Sequence, residues 1–148
     1  MVRAIVAVIV SYLIMFVLDF IAFTCAYLIV GPDVAFKPGI YEAATGWIGF
    51  AFVIQFVISI IGGLLCALIA KGGKAPFALA ILAIVLGIGV ALADMGKGKA
   101  NAGLVRTGST PQLEAVKNTY WPVWVPFVFP FTSAAAILIG AKMKRQKN

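Results

Sequence analysis

The chain has 148 residues, 63% of them apolar and only 11% charged, with a formal net charge of +7 and no histidine. About a quarter of a soluble domain's residues are charged, so this composition excludes a soluble fold and points to lipid. Two cysteines without a histidine also leave no ordinary ligand set for zinc, haem or an iron–sulfur cluster.

Four apolar runs cover most of the chain: Ala4 to Val30, Gly46 to Ala70, Ala75 to Ala93 and Tyr120 to Ala141. A helix needs about 20 residues to cross a hydrocarbon core of about 30 Å, and none of the runs alternates with the period of two that a barrel strand shows. They predict an all-α integral membrane protein, a single domain over 1–148 built as an antiparallel bundle of four transmembrane helices, with no room for a soluble domain. The first run follows Arg3 and contains the small residues Ala22, Cys25 and Ala26, as a signal peptide would. Its apolar length exceeds the roughly 7 to 15 residues of a signal h-region, so it is read as a span.

The positive charge sits at span ends and therefore does not describe a nucleic-acid surface. Seven of the 12 Lys/Arg, namely Arg3, Lys71, Lys74, Lys142, Lys144, Arg145 and Lys147, fall on one side of the membrane. The other five, Lys37, Lys97, Lys99, Arg106 and Lys117, fall on the opposite side. The positive-inside rule then places both termini in the cytoplasm, and the expected location is a bacterial cytoplasmic membrane.

Within the first span, Asp19 is the only Asp, Glu, Lys or Arg in any of the four runs. The first loop, 31–45, contains Pro32, Pro38 and Gly39 and reads as irregular and interfacial, with Tyr41 and Trp47 at headgroup level. Spans two and three are joined by Lys71-Gly72-Gly73-Lys74 followed by Ala75 and Pro76. Glycine just past one helix and proline just inside the next predict a tight hairpin. Ser59, Gly63 and Ala67 recur every four residues on the second span, as do Ala83, Gly87 and Ala91 on the third. These small faces are expected to pack the two spans of the hairpin closely against each other.

The third loop, 94–119, is the longest polar segment, and Ser109-Thr110-Pro111-Gln112 predicts a short helix from about Pro111 to Asn118. The fourth span carries Pro122, Pro126 and Pro130 at intervals of four. Pro126 and Pro130 each remove an amide donor, freeing the carbonyls of Pro122 and Pro126. Trp121, Trp124, Phe127 and Phe131 are expected to face lipid or a partner subunit. A quinone or pigment groove would rest on aromatic content alone, so no cofactor is expected beyond membrane lipid.

Counting about 1.5 Å per residue from the cytoplasmic ends places Asp19 and Gln55 both about 22 Å up, and the same count from Ala141 puts Pro126 there too. These three are expected to form one intramembrane polar cluster. A dry carboxyl at that depth is expected to be neutral, able to donate to a carbonyl or to Gln55, and to act first as a clasp fixing helix register. Cys25 and Cys66 lie at levels about 25 Å apart by the same count and cannot bridge.

In outline, four short spans with one acid in the first resembles the small multidrug resistance transporters. Asp19 stands where that family has a glutamate, both loops here are longer, and no motif of the family is matched. No group of residues forms a catalytic constellation, so an enzyme is not expected. The leading expectation is a non-catalytic accessory or scaffold subunit of a larger membrane complex. The alternative is a small homo-oligomeric proton-coupled transporter or channel using Asp19 as its proton site.

Overall fold

A computed structural model describes residues 2–71, 73–106 and 110–145. These residues form six helices: α1 (Val2–Val30), α2 (Pro32–Ala35), α3 (Thr45–Ala70), α4 (Ala75–Asn101), α5 (Gln112–Asn118) and α6 (Val125–Arg145). Four of them, α1, α3, α4 and α6, are long and apolar enough to cross a membrane, which makes this an all-α bundle of a multi-pass membrane protein. Among the described residues the only extended pairings are three isolated bridges, one within the first loop and two from it to the segment between α4 and α6.

Two spans differ from their sequence boundaries. α4 continues eight residues past Ala93 to Asn101, because the falling hydropathy there brings no proline to stop a helix, and it carries Asp94, Lys97 and Lys99 with it. α6 begins at Val125, while Tyr120 to Trp124 remain non-helical. Pro126 therefore stands in the first turn, where a missing amide costs nothing, and Pro130 alone lies inside the helix. The Pro122 carbonyl is not left free, since Val125 N–H donates to it at 2.9 Å.

The hairpin forms as expected, with Pro76 in the first turn of α4, but Lys71 takes the left-handed position that ends α3 (φ 55°). Gly72 lies outside the described residues, as does Ser109 ahead of α5. Arg3 Nε donates to the Ile69 carbonyl at 2.6 Å, and Lys144 Nζ to the Ala67 carbonyl at 2.9 Å. Two cations thus cover the carbonyl end of α3, where the helix dipole favours positive charge.

The packing of the small faces departs from expectation. α3 and α4 share little contact with each other; each packs mainly on α6, and Gly63 of α3 and Gly87 of α4 both face it. A Cβ at Gly63 would strike the Ile137 backbone, one at Gly140 the Ile60 carbonyl, and one at Gly87 the Pro130 ring. Pairs rise together along α3 and α6, from Gln55 with Ser133 to Ala67 with Lys144, so these two helices run parallel, and α6 packs against both α3 and α4. The physical reason is the choice of neighbour: α6 offers Gly140, Ala134, Ala136 and a proline ring, and close approach to it yields more contact than hairpin partners splaying from one short turn. Ser59, Ala67 and Ala91 are buried as packing residues, and Ala83 and Gly87 are half-buried.

At the opposite end the loops build a cap. Phe36, Ala43 and Trp47 are buried with Ala115 and Val125 in a second core, and Tyr41 is buried with its ring edge-on to Phe36 at 5.8 Å. Tyr41 and Trp47 thus face protein and not lipid headgroups, a correction that follows from the first loop folding back over the bundle. Ala43 N–H donates to the Tyr120 carbonyl at 3.1 Å and Tyr120 N–H to the Tyr41 carbonyl at 3.2 Å. Arg106 pairs with Asp33 at 2.7 Å, and the Tyr41 hydroxyl donates to the Glu114 carboxylate at 2.7 Å. The helix α5 is tied to α1 by Gln112 Nε2 donating to Thr24 Oγ1 and by the Tyr27 hydroxyl donating to the Thr110 carbonyl, each at 2.8 Å.

Candidate functional site

The Asp19 cleft is a consequence of how α1 packs. This helix lies mainly on α3, with Met15 reaching Gly62, and touches α4 less and α6 scarcely at all. A partly open cleft of about 280 Å³ remains between α1 and the α4–α6 pair. Tyr12, Met15, Phe16 and Asp19 enter it from α1, Gln55 from α3, Ala83, Gly87 and Asp94 from α4, and Pro126, Phe129, Pro130 and Ser133 from α6, with Trp121 above.

Asp19 faces this cleft, and Gln55 is its side-chain neighbour, so two members of the expected cluster do come together. The Gln55 amide is shared, however: its Nε2 donates to Ser133 Oγ at 3.1 Å. Asp19 Oδ1 is buried with no hydrogen-bond partner. A buried acceptor left empty is costly, and it marks a place where a proton, a water or a cation would be stabilised.

Pro126 lines the same cleft but not the same layer. It precedes Ser133, the partner of Gln55, by seven residues, or about 10 Å toward the cap. The sequence count set Ala141 level with Ala70, whereas Gly140 meets Ile60; α6 is displaced toward the cap by about two turns. The polar layer is therefore Asp19, Gln55 and Ser133. Ser133 offered no signal beyond being a hydroxyl in the fourth span.

A second carboxyl, Asp94, lines the cleft as well, because α4 extends past the end of its apolar run. Its nearest cation is Lys97, at 3.8 Å and exposed, a pairing too loose and too wet to fix it. The aromatic residues of the fourth span divide. Trp124 and Phe131 are exposed, Phe127 is half-buried, and Trp121 turns inward to meet Phe129 edge-on at 5.8 Å between centroids. Trp121 and Asp19 also border an apolar cleft of about 320 Å³, walled by Phe20, Phe23 and Trp47 under α5. Cys25 and Cys66 are both free, one exposed and one buried. Among the described residues no three of His, Cys, Asp or Glu gather as metal ligands.

Chemically, the arrangement offers two carboxyls and the neutral hydrogen-bonding side chains of Tyr12, Gln55, Trp121 and Ser133 around one space inside an apolar bundle. It holds no nucleophile with a paired base. Comparison with protein-family models, with curated proteins and with solved structures finds no match to this chain.

Proposed function

We propose that the protein is a small proton-coupled transporter or channel, working as a homo-oligomer and using Asp19 as its proton site. On the same reading it resides in a bacterial cytoplasmic membrane with both termini in the cytoplasm, as the seven-to-five distribution of its basic residues favours. The observation that carries the proposal is the unpartnered Asp19 Oδ1 at a cleft that also holds Asp94. A purely structural clasp would be expected to spend both oxygens on neighbours, and here Oδ1 has none although Gln55 stands beside the carboxyl.

Purified protein in liposomes, with a pH-sensitive dye inside and a potassium diffusion potential, tests it. Proton flux above that of empty liposomes is expected, and Asp19→Asn should reduce it to the empty-liposome level while helicity and elution volume stay unchanged. Flux that survives Asp19→Asn undiminished rejects Asp19 as the proton site.

A second reading, a non-catalytic accessory subunit of a larger membrane complex, is favoured by one observation. Phe16 and Phe20, each 64% exposed, stand on the open flank of α1 beside the clefts, where a helix of another membrane subunit would pack. Gentle detergent extraction from the native membrane should then show the chain migrating with other subunits, and migration alone at its own mass counts against it.

A further inference from the structure

Asp94 borders two separate spaces. One is the Asp19 cleft; the other, of about 360 Å³, opens among the cap loops and is lined by Glu42, Lys99 and Tyr120. Only Asp94, Trp121 and Pro126 belong to both linings. Those three side chains therefore stand between this cap-side space and the Asp19 cleft.

We propose that Asp94 is the portal residue through which protons pass, by way of water, from the cap side to Asp19, and that the Trp121 ring separates the two spaces. The inference rests on the reading of Asp19 as a proton site and adds the side of entry and the residues that form the entrance.

Three features of the site support the assignment. Of the two carboxylates at the cap-side cleft, Glu42 is held by Lys37 at 2.5 Å, whereas Asp94 has only the distant, exposed Lys97. Its carboxylate is thus the one left to accept from water at the boundary. The other ionisable groups around it, Lys99 and Tyr120 on the cap side and Tyr12 and Asp19 on the inner side, reach the two clefts from α4, the 120–124 segment and α1. None of them has a hydrogen bond or ion pair to Asp94 among the described residues. Finally, Trp121 sits in the non-helical stretch before α6, held at its flanks by Tyr120 and Pro122, so its ring is not locked into a helix register. It also lines the aromatic cleft, and displacing it would join all three spaces.

Cysteine labelling decides the route independently of flux. In a Cys25→Ala, Cys66→Ala background, Val105→Cys marks the cap side and Lys71→Cys the hairpin side in sealed vesicles treated with a membrane-impermeant thiol reagent. Asp94→Cys should label with the sidedness of Val105→Cys, and adding Trp121→Ala should speed labelling of Asp19→Cys from that same side by about tenfold, or roughly 1.4 kcal/mol of barrier. Labelling of Asp94→Cys with the sidedness of Lys71→Cys, or no acceleration by Trp121→Ala, overturns the portal. In the flux assay Asp94→Asn should slow transport and Asp94→Glu restore it, and undiminished flux in Asp94→Asn also overturns it. If a cysteine variant fails to fold, this conservative pair and Trp121→Phe, expected to leave Asp19→Cys protected, carry the test. Should Asp19→Asn keep full flux, the proton-site reading fails while the labelling sidedness still reports the route. Loss of flux in Asp19→Asn with labelling from the hairpin side sinks only the portal.

Discussion

Toward the hairpin, α3 and α6 touch backbone to backbone at Gly63 and Gly140, whereas toward the cap the same two helices are spaced by the stacked rings of Phe52 and Phe129, with 4.4 Å between centroids. The first contact leaves no room for a side chain. The second sets the helices apart and, together with the loose seating of α1, leaves the clefts that hold Asp19 and Asp94. Both regions obey one rule, that helices surrounded by lipid gain little from hiding apolar surface and must find contact or hydrogen bonds. Small residues supply contact at one end; at the other, loops with tyrosine, arginine and carboxylate partners hold an end that the helices do not close.

The sharpest way to break this comparison is to put a side chain into the tight seam. Gly63→Val would drive its Cβ into the Ile137 carbonyl backbone, which has no rotamer to retreat to. A loss of about 3 kcal/mol or more is expected, read as a fall in the unfolding midpoint in mild detergent. Its neighbour Gly62 faces the Met15 thioether instead, a flexible chain that can swing aside. Gly62→Ala should cost only about 1 kcal/mol. Equal penalties at the two positions would mean that the seam is not the rigid contact described.

Gly87→Ala comes next in size. The Pro130 ring lies over this position, and it is stiffer than a methionine but is not backbone. A loss of about 2 kcal/mol is expected on the same assay. Pro130→Ala combined with Gly87→Ala should recover part of it, and no recovery would place the obstruction elsewhere.

How much of this was legible in the sequence depended on whether a feature was local. Four spans, the tight hairpin with Pro76 in its first turn, the short helix α5 and the proximity of Asp19 to Gln55 follow from apolar length, turn residues and helical rise, all of which are read within or between single segments. The partner of each small face was not legible, because Ser59, Gly63 and Ala67 make a surface that accepts any helix able to approach, and sequence adjacency favoured α4 over the actual partner α6. Pro126 was placed by a count whose origin, level ends for α3 and α6, two parallel helices need not respect. Asp94 was hidden by its charge: it closes an apolar run, yet the helix itself continues to Asn101. Burial of Tyr41 and Trp47 depended on two loops meeting, and no local pattern announces that.

Changes in the cap should be smaller than those in the seam. Tyr41→Phe removes the hydroxyl that donates to Glu114 but keeps the buried ring. A loss of about 1 kcal/mol is expected, since the carboxylate can turn to water. Limited proteolysis within 102–119 should quicken correspondingly, and an unchanged cleavage rate would show that the ring and not the hydroxyl holds α5.

The smallest effect should have the opposite sign. Gly89 lies two residues from Gly87 on the same helix, yet nothing stands within 4 Å of where its Cβ would be. Gly89→Ala therefore meets no neighbour and only trades a helix-weakening residue for the best helix former, a gain of about 0.5–1 kcal/mol. Two glycines in one turn are then predicted to respond in opposite directions, because α6 covers one and leaves the other open. A destabilising Gly89→Ala would mean that something packs there in the membrane and that this open flank of α4 is an interface.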